Sequence, residues 1–304
     1  MRLLHTGFDA LDVAFQGALP KATIEHLLET KSEAAKLQDK VLTEIGPGNV
    51  EMHVHKAGLK GGYAIRTDTG PLGEIWAFKE DTNPKEWNIF VSVRAAALAV
   101  YGFRAVCKNL FARLEAMGAV VYAESVNRVD YALDFLTTDF ELHLDQFVAH
   151  PRTKIRPYFG TKEPAKDNNQ PTAVITGRKL ESVTVGKMPG RQIIVYDKRA
   201  EAIAGRKGFW FEIWGIDRSD PTIKVWRVEI RAGKKELGTK YRLRTFADIE
   251  ASIGDVYLNT VREIRYLADH QTDSNVSRQQ VRAIWAMTAQ HLETSMREFR
   301  SGLR

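Results

Sequence analysis

One cysteine, Cys107, stands in 304 residues, so no internal disulfide can brace the fold, and the chain suits a reducing, cytoplasmic setting. Cys107 falls in an apolar helical pattern and reads as packing rather than as a reactive thiol. No apolar run approaches the roughly 20 residues that a membrane-crossing helix needs, so no membrane partner is expected. The opening residues, MRLLHTGFDALDVAFQG, carry Asp9 and Asp12 where an export signal needs an unbroken apolar stretch. Internal repeats, low-complexity tracts and long linkers are also missing. So is an Arg…His-x-x-Arg…Tyr series near the C-terminus, which disfavours a tyrosine recombinase.

What is present has the balance of a globular protein, 44% hydrophobic and 27% charged, with length for one large domain or two ordinary ones. The net charge of +6 suggests a polyanionic partner. Its distribution says more. RVEIRAGKKELGTKYRLR carries Arg227, Arg231, Lys234, Lys235, Lys240, Arg242 and Arg244 against Glu229 and Glu236. Such a run is either a solvated basic face or a stripe that contacts phosphates.

Along the chain, residues 1–19 read as a short strand with turn ends, and a helix is expected from about Lys21 to Ile45, ended by GPGN. Glu51 to Val93 reads as an antiparallel meander with Gly-rich turns. A helix from about Arg94 to Met117 follows, stopped by Gly118. DFELHLDQFVAH reads as a short helix and FGTKEPAKDNNQPTAV as a loop. SVTVG, RQIIVYDK and TIKVWRVEIR read as strands, with the apolar FWFEIW between the last two expected to be a buried or cross-strand aromatic patch. From Thr245 the pattern is helical to the end, with Ser277 and Gln280 as a capping box for the last helix.

One strand stands apart. NRVDYALDF alternates Val129, Tyr131, Leu133 and Phe135 with Arg128, Asp130, Ala132 and Asp134, a strand with one buried face. Asp is a poor strand former, so two on one face mean either a wet edge or a function. In RQIIVYDK the alternation puts Tyr196 and Lys198 on one face, roughly 7 Å apart. In RVEIR it groups Arg227, Glu229 and Arg231. Three strands can thus present charged and nucleophilic groups to one polar surface. A Tyr beside a cation can be activated as an oxygen nucleophile. A carboxylate pair can hold a hard divalent cation that polarises a phosphoryl oxygen, and arginines can fork onto non-scissile phosphates.

Taken in order, NRVDYALDF, SVTVGKMPGRQIIVYDKRAE and WRVEIR resemble the Arg-x-Asp-x-x-x-Asp strand, the turn with its Tyr-Asp/Glu-Lys strand, and the Arg-x-Glu strand of the Rep_trans family of rolling-circle replication initiators, carried by small plasmids and filamentous-phage-like elements. DSNVSRQQVRAIW is similar to a segment of the phage-type members. The match covers roughly Arg128 to Trp285, and GRKGFWFEIWGIDRSDPTIK has no place in the family pattern.

The resemblance implies an origin-specific DNA nickase in which a tyrosine becomes linked to the 5′ side and the released 3′-OH primes synthesis. Tyr196 is then the nucleophile, Arg128 and Lys198 belong to the catalytic set, Lys198 supporting the phosphate or the tyrosinate, and Asp130 and Glu229 ligate Mg²⁺ or Mn²⁺. Asp134 lies about 13 Å from Asp130 along an unbroken strand, too far to share one ion, and is expected to be structural or to support the ligands. HVH, His53 to His55, has the spacing by which HUH nickases hold metal, an alternative that Rep_trans proteins are expected not to use.

The expectation is therefore an α+β protein: a largely antiparallel sheet with packed helices over 1–235 and a helical region over 236–304. Single-stranded or hairpin origin DNA is the expected partner, with a homodimer and a host helicase. The basic stretch together with Arg278, Gln279 and Arg282 on the last helix is expected to read the origin, unless those helices merely cover the sheet or form the dimer interface. A non-catalytic, sequence-specific DNA-binding regulator on the same fold is the alternative.

Overall fold

A computed structural model describes residues 1–81, 83–149, 173–176, 179–269, 273–275 and 278–301. The fold is α+β with a large antiparallel sheet, as expected. The chain forms two compact units, one of residues 8–129 with 244–246, the other of residues 1–7, 130–243 and 247–304.

In the first unit, β1 (Arg2–Ala18) enters from the second and is followed by α1 (Lys21–Leu37), β2 (Val41–Ile45), β3 (Val50–Val54), β4 (Ile65–Asp68), β5 (Glu74–Phe78), β6 (Trp87–Val93), α2 (Ala95–Tyr101) and α3 (Phe103–Ala116). The sheet order is β2-β3-β4-β5-β6-β1, and the meander from β2 to β6 is antiparallel throughout. The helix expected over 21–45 stops early. Gln38 takes the left-handed conformation at φ 58°, and Val41 to Ile45 pair with Val54 to Val50 instead. The two-residue alternation of VLTEI, with a hairpin partner at hand, outweighs the helical run before it. The second expected helix is two, because Gly102 at φ 78° breaks it, while Gly118 at φ 74° ends it where the sequence indicates. Cys107 is buried on α3, as packing. Phe246 meets Phe103 and Phe111 edge-on, Phe103 buried and Phe111 at the surface.

The second unit takes over β7 (Val120–Leu136) at Asp130 and continues through a 3₁₀ turn at Leu144–Gln146, β8 (Phe147–Ala149), β9 (Ala173–Thr176), β10 (Lys179–Gly186), β11 (Arg191–Asp197), α4 (Lys198–Ala204), α5 (Phe209–Trp214) and β12 (Val225–Gly233). A π-helical turn at Glu236–Tyr241 leads to α6 (Phe246–Glu263), β13 (Ile264–Tyr266) and α7 (Ala283–Ser295). The sheet runs β1-β7-β12-β11-β10-β9, and β8 pairs with β13 in a separate ribbon. Two helical expectations are thereby corrected. In the segment read as a short helix, Leu144–Gln146 is a 3₁₀ turn and Phe147–Ala149 a strand, and IRY interrupts the C-terminal helices because it finds FVA as a partner. The last helix begins at Ala283, with Arg278 in a turn before it. Ser277, and nearly all of the loop read at 159–174, lie outside the described residues.

β7 resolves the puzzle of its carboxylates. Every residue from Val129 to Phe135 is buried, so this is a covered strand and not a wet edge. Its odd-numbered face lies under the C-terminal helices: the Tyr131 ring lies 5.6 Å from that of Tyr257 of α6, and the Phe135 ring 6.4 Å from that of His291 of α7, both pairs tilted. Its even-numbered face carries Asp130 and Asp134 to the other side of the sheet, where α4 and α5 lie. FWFEIW is a short helix there, burying Trp210, Phe211 and Trp214. Among the described residues, no helix is long and apolar enough to cross a membrane.

α7 is part of the core. Ile284, Trp285, Thr288 and Leu292 are buried, and the Trp285 indole N–H donates to the Val261 carbonyl at 3.1 Å. Trp285→Ala should therefore lower unfolding free energy by about 3–5 kcal/mol, read from the midpoint of a urea transition. An unshifted midpoint would show that α7 is dispensable to the fold.

Candidate active site

The polar face of the second unit gathers side chains from β7, β11 and β12. Register sets the groups: Tyr196 lies opposite Arg227, Ile194 opposite Glu229, and Gln192 opposite Arg231. Alternation then aims Tyr196, Arg227, Glu229 and Arg231 at the side that carries Asp130 and Asp134.

Two carboxylate–guanidinium rungs result. In the first, Arg227 forks onto Asp134, Nε to Oδ1 at 2.6 Å and Nη2 to Oδ2 at 2.7 Å, with both side chains 0% exposed. The Trp214 indole N–H donates to Asp134 Oδ2 at 2.8 Å, and the Trp210 ring lies 4.2 Å from the Arg227 guanidinium carbon. Arg227, grouped by the sequence with the DNA-contacting cations, is instead buried, with its charge matched by Asp134 inside the fold. Asp134 in turn has both of its carboxylate oxygens taken by Arg227 and Trp214 inside the fold.

The second rung is looser. Arg231 Nε reaches Glu229 Oε1 at 2.6 Å and Asp130 Oδ2 at 3.5 Å, so both carboxylates converge on one nitrogen. The Tyr196 hydroxyl donates to Glu229 Oε2 at 2.9 Å. Lys198 departs from expectation. Asp197 accepts from the Ala200 N–H at 3.0 Å and caps α4, so Lys198 is the first helical residue and not the next strand position. Its ammonium still lies 5.6 Å from the Tyr196 ring centre and 5.1 Å from that of Trp210, and it donates to Glu201 at 2.7 Å. Burial pushes the Glu201 carboxyl upward, but Lys198 and Lys207 outweigh it and hold the group below its usual range. Tyr131 lies on the opposite face of β7, and burial raises its pKa against hydrogen bonds with Ser295 and Thr6.

Other expected residues lie elsewhere. Arg128 belongs to the first unit, where burial raises the Asp12 carboxyl while Ser92 and the Arg128 charge oppose the shift. His53 and His55 are also there and turn to Asp68, His55 Nε2 at 2.7 Å and His53 Nδ1 at 4.0 Å, with Lys40 at 3.6 Å. Among the described residues, no group of three or more His, Cys, Asp and Glu is placed to hold a metal ion. Lys234, Lys235, Lys240, Arg242 and Arg244 are exposed around the π-helical turn, Lys240 pairing with Glu236 and Glu263. Arg278 pairs with Asp273 at 3.0 Å, and Arg282 bonds Gln146 and Asp269 across the β8–β13 ribbon. Trp210, Trp214 and Glu201 were missed as members of the site. The four-residue spacing of the tryptophans, one helix face, was the signal available.

Asp134→Asn should cost about 3–5 kcal/mol of stability, since it strands a buried guanidinium, while Asp134→Leu with Arg227→Met should recover most of the loss. Guanidinium titrations of the three proteins decide it. A double variant as unstable as the single one would mean that the pair does more than neutralise itself.

No family model and no curated sequence matches the chain. Among solved structures it is similar to a rolling circle replication initiator protein from Geobacillus stearothermophilus, at 14% identity and a TM-score of 0.45, over 95% of this chain and 97% of that one.

Proposed function

We propose that the chain initiates rolling-circle replication, nicking single-stranded or hairpin origin DNA with Tyr196 as nucleophile. The observation that carries this reading is the Tyr196 hydroxyl bonded to Glu229 at 2.9 Å, with the Lys198 ammonium against its ring and Asp130 beside Glu229. Tyr196 is half-buried on β11.

In the reaction the Tyr196 oxygen attacks phosphorus as its proton passes to Glu229. The new bond joins the tyrosine to the 5′ side. The bond from phosphorus to the 3′-oxygen breaks, and that oxygen takes up a proton to become the primer hydroxyl. Lys198 favours the developing phenolate charge from beneath the ring.

Asp130 and Glu229 suit a hard divalent cation, being two acidic side chains close enough to share one guanidinium nitrogen. Mg²⁺ or Mn²⁺ bound there supplies charge for the phosphoryl oxygens. The exposed cations from Lys234 to Arg244 are the proposed phosphate contacts, which makes binding salt-dependent. A homodimer and a host helicase complete the proposed assembly.

Tyr196→Phe should abolish both nicking and the denaturation-resistant DNA–protein adduct while origin binding persists, because the ring still packs. Loss of its hydrogen bond to Glu229 should cost no more than about 1–3 kcal/mol. An adduct formed by the Phe variant would move the nucleophile elsewhere. A protein that binds origin DNA but never forms the adduct is instead the non-catalytic regulator.

Asp130→Asn and Glu229→Gln should each lose metal-dependent cleavage, since an amide is a poorer ligand for a hard cation. His53→Ala with His55→Ala should keep most of it. A supercoiled-plasmid nicking assay in Mn²⁺ compares them, and the reverse pattern would place the metal on the histidine pair.

A further inference from the structure

The two arginines of RVEIR are held in opposite ways. Arg227 is 0% exposed, and two of its nitrogens are committed to Asp134. Arg231 is 27% exposed and uses Nε alone for both of its carboxylates. A guanidinium attached through one nitrogen lacks the paired geometry that makes a fork strong. The Asp130 and Glu229 side chains beneath it are 0% and 3% exposed. Arg231 thus lies over the buried acids, and it is the more exposed partner of each pair.

We propose that Arg231 is the resident counter-cation of the Asp130–Glu229 pair, and that a divalent metal ion loads by displacing its guanidinium. The inference rests on the metal reading of these two carboxylates. A buried carboxylate pair without a cation is costly, so a protein that binds metal transiently needs something to hold the site between loadings. Arg231 does so with the same charge sign and the same ligand oxygens. The two occupants exclude each other. A metal takes carboxylate oxygens at about 2.0–2.1 Å and repels a second cation placed on them. Once displaced, the long side chain has solvent to move into.

Competition makes an affinity prediction. A ligand that binds only when a site is vacant has its apparent affinity reduced by the vacant fraction. If Arg231 occupies the site about nine-tenths of the time, Arg231→Gln should bind Mn²⁺ about tenfold more tightly than wild type. Asp130→Asn added to that variant should abolish the gain.

Calorimetric titration of the full-length chain with Mn²⁺, after chelator treatment and without DNA, measures this directly. Equal or weaker binding by Arg231→Gln overturns the exchange and leaves the metal reading intact. If neither wild type nor the variant binds Mn²⁺, or if Asp130→Asn changes nothing, both readings fall. Should the variant not fold, wild type suffices. The Nε–Hε resonance of Arg231 should leave its carboxylate-bonded position as Mg²⁺ saturates the site, and a resonance unmoved at saturation overturns the proposal.

Discussion

The fork between Arg227 and Asp134 is the constraint on which the polar face of the second unit depends. It joins β12 to β7 by two charge-assisted bonds with no solvent to compete for them. A slip of one residue in either strand would turn a charge into the apolar side of the sheet. The energetic gain of such a pair over a hydrophobic one is small or negative, but the cost of breaking it is large. Its effect is to fix register. With Arg227 on Asp134, the same four-residue spacing on both strands brings Arg231 to Asp130, and Glu229 falls between them.

The roof of the first rung then determines the surroundings of the tyrosine. Trp210 and Trp214, one turn apart on α5, cover Arg227 and Asp134. The same Trp210 ring faces the Lys198 ammonium, which in turn faces Tyr196. A cation buried to 3% exposure needs such partners, and Glu201 supplies the remaining charge. The segment GRKGFWFEIWGIDRSDPTIK, which has no counterpart in the motifs that suggested a nickase, therefore builds the support of the proposed nucleophile.

The fold class, the meander and the grouping of charged residues on three strands were legible because alternation is a local signal. What the sequence could not reveal was which elements cover each face. NRVDYALDF reads the same whether its acidic face meets water or a pair of helices, and only the distant FWFEIW decides it. The false continuation of α1 through Val41–Ile45 has the same origin, since the pairing partner lies beyond a turn. Lys198 was misplaced for a different reason. Asp197 reads as a strand residue by alternation and as a helix cap by chemistry, and the cap prevails.

The basic run from Arg227 to Arg244 shows why counted charge is not surface charge. Its first two arginines are matched to carboxylates, Arg227 fully buried on Asp134 and Arg231 part-exposed over Asp130 and Glu229. Lys240 lies between two glutamates. The fully exposed cations begin where β12 ends, at Lys234 and Lys235, and continue past the π-helical turn to Arg242 and Arg244. The chain thus spends one stretch of positive charge in two ways. Inside, where desolvation makes each charge costly, an arginine is matched to an acid. Outside, the lysines and arginines are exposed, and the phosphate contacts proposed for them carry strong salt dependence but no sequence information. The change falls at Gly233, the last residue of β12, so the strand that fixes the proposed chemistry also sets where the exposed cations start.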